Sequence, residues 1–164
     1  MNGAGVEGGN GPAAVPGSYS VRLTAGAIKQ TQPLTVVEDP RILRDGITLE
    51  DLKAQFNHNM AVRELVSDAN KTVARLRAAQ QKLRGATGAQ ADQLAKLNAL
   101  AEKLITSPIR YSEPKLLTHI TYLYSMTNGA DQRPGKDAID RLKVLRKDLD
   151  DRKKELDKLV GPAM

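Results

Sequence analysis

Two hydrophobic periods divide the chain. Tyr19, Val21 and Leu23 alternate with Ser18, Ser20, Arg22 and Thr24, and Leu34 and Val36 resume an apolar face after Ala25-Gly26-Ala27. A period of two places one set of side chains on a single face, so residues 18–41 predict two strands joined by a turn and ending at Asp39-Pro40-Arg41. Pro33 has no amide hydrogen to give to a ladder, which assigns the second strand to an edge or an interruption. Two strands alone cannot bury a core, so the hairpin reads as part of a larger β domain.

From Thr48 the period changes to that of helices. Thr48 is the expected N-cap, Glu50 and Asp51 lie in the first turn, and neither Gly nor Pro intervenes before Arg84. Leu49, Leu52, Phe56 and Met60, then Val62, Val66, Ala69, Val73, Leu76 and Leu83 form a stripe near the coiled-coil period. A helix of about 36 residues, roughly 54 Å long, follows from it. Gly85 and Gly88 end that helix, and Leu94, Leu97, Ala101 and Leu104 predict a second one over 89–106, stopped at Ser107-Pro108.

Ser112-Glu113-Pro114 predicts a third start, with Ser112 as cap, for a helix burying Leu116, Leu117, Ile120, Leu123 and Tyr124. Asn128-Gly129 is its expected left-handed end. Ile139, Leu142, Leu145, Leu149, Leu156 and Leu159 mark the last helix. The expected fold is mainly α: an antiparallel bundle of about four helices over 48–160, preceded by the hairpin. Residues 1–17, with five glycines and two prolines before Gly17, predict a flexible segment.

Composition narrows the function. One Phe, four Tyr and no Trp leave few rings for stacking bases or sugars. The net charge of +6 invites a nucleic-acid reading, but 25 basic residues are interleaved with 19 acidic ones, most visibly over 141–158, as on a solvated helix face. Nucleic acid is therefore not the expected partner. The purest basic run is Lys71, Arg75, Arg77, Lys82 and Arg84, with no acid between Asp68 and Asp92. Within it Lys71, Arg75 and Lys82 form a candidate face for an acidic partner, against the plainer reading of cations near a helix C-terminus.

Catalytic, metal and cofactor signatures do not emerge. With no cysteine there is no thiolate ligand, and His58 and His119 lack a carboxylate or second His one turn away. His58 is expected at the surface or its boundary, and His119 beside an apolar face. Glu64 and Asp68 make one acidic pair, a poor cation site by itself. The serines lack a Gly-x-Ser-x-Gly elbow, and Gly8-Gly9-Asn10-Gly11-Pro12 lacks the Gly-Lys-Ser/Thr ending of a phosphate loop. Tyr111, Tyr122 and Tyr124 are expected to pack with their hydroxyls at the rim. No apolar run approaches the roughly 20 residues that span a bilayer, and residues 1–17 have neither the basic start nor the apolar stretch of an export signal.

Several segments together carry a resemblance. Gly17-Ser-Tyr-Ser-Val-Arg-Leu-Thr24, Gln32-Pro-Leu-Thr-Val36 and Asp39-Pro-Arg41 are followed by Tyr111-Ser-Glu-Pro-Lys-Leu116, Tyr122-Leu-Tyr-Ser-Met126 and Gly129-Ala-Asp-Gln-Arg-Pro134. In this order they resemble the end of the β-sandwich and the helical C-terminal region of large bacterial proteins with sortilin-like or BNR-repeat β-propellers, often labelled glycosyl hydrolases. The resemblance covers residues 17–159. It implies an exported parent protein whose activity belongs to a propeller, and a non-catalytic accessory or interaction segment here. Its implied partners are propeller and sandwich domains, another protein chain or a second copy. The alternative is a standalone helical module that binds an acidic partner through Lys71–Arg84.

Overall fold

The computed structural model describes residues 11–162. They form a two-stranded antiparallel sheet followed by helices: β1 (Gly17–Ala25), β2 (Ile28–Val36), α1 (Pro40–Arg44), α2 (Leu49–Lys82), α3 (Ala89–Leu104), α4 (Leu116–Thr127) and α5 (Lys136–Val160). The fold is mainly helical with a preceding hairpin, as the two periods require. Of the segment expected to be flexible, residues 1–10 lie outside the described residues. The part from Gly11 is irregular chain, and the Tyr19 hydroxyl donates to the Val15 carbonyl at 2.5 Å.

Two compact units divide the described chain. One contains residues through Met60 together with Thr127–Pro134, the other Ala61–Met126 and the chain from Gly135 onward. Helix α2 runs through both.

In the first unit, Ala25 pairs with Ile28 across a two-residue turn, and the register continues through Leu23↔Gln30, Val21↔Gln32 and Tyr19↔Leu34 to Gly17↔Val36. Gly26 has φ 59°, the positive value that the first central position of a type II′ turn requires and a side chain resists. The Asp39-Pro40-Arg41 junction folds as a short helix start absent from the hydrophobic pattern. The Asp39 carboxylate accepts from the Arg41 amide at 2.8 Å and from its guanidinium, and Pro40 occupies the first turn, where no donor is needed. Those hydrogen bonds, chiefly from the Arg41 side chain, hold the Asp39 carboxyl at a pKa of about 2.

Thr48 then opens α2 as expected. Its hydroxyl accepts from the Asp51 amide at 3.2 Å, while the Asp51 carboxylate accepts from the Thr48 amide at 3.0 Å, a reciprocal cap that satisfies two otherwise orphaned donors.

The second unit is a bundle around one aliphatic core. Val62, Leu65, Leu76, Leu97, Leu100, Leu104, Ile120, Leu145, Leu149 and Leu156 are nearly or wholly inaccessible and belong to a single cluster. Contacts along the helices give their directions. Going up α2, the Ala61 carbonyl, Asp68 and Arg75 meet Arg146, Lys153 and Asp157 of α5 in the same order, so α2 and α5 run parallel. Gln93 and Lys103 of α3 meet Leu159 and Glu155 of α5, in opposite order, so α3 runs against α5 and α2; α4 leaves Thr106, beyond the end of α3, and finishes with Thr127 bonded to Asn59 in the first half of α2. Four helices therefore make an up, down, down, up arrangement in which α3 and α4 share the descending leg.

The break between them is held by the Thr106 hydroxyl, which accepts from the Lys115 amide at 2.8 Å and lies 2.7 Å from the Thr118 hydroxyl. This corrects the expected start of the third helix. Ser112 does not cap it; its hydroxyl donates to the Ile109 carbonyl, and α4 begins only at Leu116. Nor does α4 end in a left-handed turn at Asn128-Gly129. Positive φ occurs instead at Gly85, Gly88 and Gly161, where α2 ends, α3 starts and α5 stops.

Candidate functional site

The register gathers the hairpin's apolar side chains on one face. Tyr19, Val21, Leu23, Ile28, Leu34 and Val36 share it, interrupted on β2 by Gln32 opposite Val21 and Gln30 opposite Leu23, whereas Ser18, Ser20, Arg22, Thr24, Lys29, Thr31, Pro33 and Thr35 share the other. Nothing within the described chain covers the apolar side. Tyr19 is 42% exposed, Val21 53%, Leu23 61%, Ile28 63% and Leu34 46%; only Val36 is half-buried. A period-two pattern normally exists because one face is dry. Here both faces are wet, and the dry side is missing.

Beside the strand end lies a cleft of about 170 Å³ within the same unit. The Pro12–Pro16 segment, Val36, Ile42, Leu52 and Phe56 form apolar walls, and Gln55, Asn59, Asn128 and Asp131 supply the polar ones. The amides of Gln55 and Asn59 are committed to structure. Gln55 Nε2 donates to the Thr127 carbonyl at 2.9 Å and to that of Ala130, and Asn59 Nδ2 donates to the Thr127 carbonyl and to Asn128 Oδ1, both at 3.2 Å. Asn59 Oδ1 accepts from the Thr127 hydroxyl at 2.7 Å. These side chains close the end of α4, whose last carbonyls have no partner within the helix.

His58 departs from its expected boundary position: it is buried, and its Nε2 has no hydrogen-bond partner. Burial pushes its pKa below the ordinary histidine value. The sequence offered no sign of this, because His58 stands among polar neighbours, Asn57 and Asn59. The tyrosines divide as well. Tyr124 is buried as expected, but Tyr111 is 88% and Tyr122 62% exposed, so neither is a packing residue within the chain.

The basic face is spread and partly spent. Lys71 and Lys82 are exposed, whereas Arg75 is half-buried, pairing with Asp157 at 2.6 Å and donating to the Gly161 carbonyl. Arg75 thus secures the C-terminus of α5, where orphan carbonyls attract a cation. Asp68 lies 4.0 Å from Lys153 and is not set against Glu64 alone. Among the described residues, no group of three or more His, Asp or Glu side chains converges on a metal-sized site, and no helix is long and apolar enough to cross a membrane.

No family model, curated protein or solved structure matches the chain. The site must therefore be read from its own geometry. Its most distinctive element is the hairpin: a ribbon with a finished polar face, an unfinished apolar face and a well-defined register.

Proposed function

We propose that the chain is a non-catalytic accessory segment whose hairpin completes a β-sandwich belonging to a larger protein. The uncovered face of Tyr19, Val21, Leu23, Ile28 and Leu34 carries this reading. Burying those side chains is worth about 1.5–3 kcal/mol for each large one, and a second sheet packed roughly 10 Å away is the usual way to collect it. The resemblance of residues 17–159 to the C-terminal region of sortilin-like or BNR-repeat β-propeller proteins supports that partner. In this reading the helices act as a support or spacer, and any glycosidase or ligand-binding activity of the parent belongs to its propeller.

Sequencing the DNA upstream of codon 1 tests the assignment. The expected result is a reading frame that runs back through sandwich strands into propeller repeats; an in-frame stop directly upstream would overturn the parent-protein reading. Assay of the purified chain on aryl glycosides is expected to give no turnover. Turnover abolished by a single Asp or Glu substitution would overturn the non-catalytic reading.

The acidic-partner alternative has less support, since Arg75 is engaged inside the bundle. It requires salt-sensitive binding of DNA, RNA or anionic vesicles through Lys71 and Lys82, and no affinity is expected even at low salt.

A further inference from the structure

The two edges of the hairpin are not equivalent, and their difference identifies where the missing strand goes. In an antiparallel pair, residues alternate between positions that exchange backbone hydrogen bonds with their partner and positions whose N–H and C=O point away from it. A two-residue turn closes on a bonded pair, here Ala25↔Ile28. Counting back in twos, Leu23↔Gln30, Val21↔Gln32, Tyr19↔Leu34 and Gly17↔Val36 are bonded pairs, and the residues between them point outward.

Pro33, opposite Ser20, falls on an outward position. It costs the hairpin no ladder bond, but it removes the central donor from the free edge of β2. The facing edge of β1 has no such gap: Ser18, Ser20, Arg22 and Thr24 present an unbroken row of donors and acceptors.

Charge adds the partner's chemistry. Arg22 and Lys29 are the charged residues between Gly17 and Val36, both basic and both on the polar face. Pairing β1 with its own copy in the register centred on Arg22 would set the two guanidinium groups side by side, whereas an opposing carboxylate would neutralise Arg22.

We propose that the outer edge of β1 is a strand-addition site. Its occupant is an extended segment of another protein or domain, with alternating apolar and acidic side chains. The apolar ones continue the face of Val21 and Leu23, and a carboxylate lies beside Arg22. β2 remains the outer edge of the enlarged sheet. This rests on the sandwich reading above but concerns the edge, not the face, of the hairpin.

Backbone amide exchange by NMR on the full chain tests it, with a terminally blocked nine-residue peptide of alternating Val and Glu as the probe. The peptide is expected to slow exchange at Ser18, Ser20, Arg22 and Thr24 at least tenfold and leave Thr31 and Thr35 unchanged. Ser20→Pro, the mirror of Pro33, should remove that protection with the hairpin ladder intact. Arg22→Glu should weaken the Val/Glu peptide tenfold or more and favour a Val/Lys peptide instead.

Protection at Thr31 and Thr35, or at neither edge, would overturn the proposal. So would concentration-dependent protection of β1 without peptide, which would mean self-pairing. If β1 protection appears in the native chain but the upstream frame shows no sandwich, the edge assignment stands and the parent assignment fails. If the frame is found and protection never appears, the reverse holds.

Discussion

Asn59 shows how much a single buried amide can carry. It is 1% exposed and uses both ends of its side chain, donating to Thr127 and Asn128 and accepting from the Thr127 hydroxyl. Asn59→Ala should destabilise the fold by about 1–3 kcal/mol, because the buried bonds to the Thr127 hydroxyl and Asn128 are lost while Gln55 still holds the Thr127 carbonyl; urea denaturation followed by circular dichroism measures the loss. His58 has a different liability. Its pKa is depressed in the fold, so the unfolded chain binds more protons once the pH drops below the ordinary value of about 6.5. Stability is fully present above that pH and declines as the pH falls through the folded pKa. Denaturant midpoints at pH 7 and pH 5 should converge in His58→Gln, and an unchanged difference would remove His58 as the cause. Neither residue could have been singled out from the sequence, since both roles depend on burial, and Asn59 further on carbonyls some seventy residues away.

Elements with local causes were the legible ones. The turn at Gly26, the Thr48 cap of α2 and the glycine stop at 85 each follow from residues within a few positions, whereas Gly88, read as a second stop, instead opens α3. Thr48→Ala should cost about 1 kcal/mol of stability, read as a lower thermal midpoint. It should also let the Asp51 carboxyl rise toward its ordinary range, because the Thr48 hydroxyl is the main cause of its depression. The start of α4 was misread because Ser112 and Pro114 look like a cap and a first turn, yet Thr106, on the other side of the break, takes the Lys115 amide. The parallel course of α2 and α5 was hidden for the same reason: α3 and α4 look like two legs of a bundle until their contacts show them descending together. The hairpin was legible as two strands with an apolar set on one face, whereas its register, set by the two-residue Gly26-Ala27 turn, was not. That the basic run would lose Arg75 to Asp157 and Gly161 was not, because it requires the end of α5 to be known.

Across the whole molecule, apolar burial is unevenly shared. The aliphatic cluster lies in the helical unit, while among the described residues of the other unit Leu52 is the buried hydrophobic residue, accompanied by Gln55, His58 and Asn59. Local stability should follow that distribution. Amides of Leu65–Leu76 in α2 should exchange only through large openings, whereas those of β1 and β2 should exchange at least a hundredfold faster; hydrogen exchange with mass spectrometry would show the contrast. Leu149→Ala, at 1% exposure, should cost about 2–5 kcal/mol by opening a cavity among Leu, Ile and Val side chains. The hairpin, in turn, gains most from whatever adds to it. There Pro33 sets a valence: one side of the ribbon can accept a strand and the other is interrupted. A sheet extended through this chain therefore terminates on it, and the exposed apolar ribbon can complete an assembly without seeding a fibre.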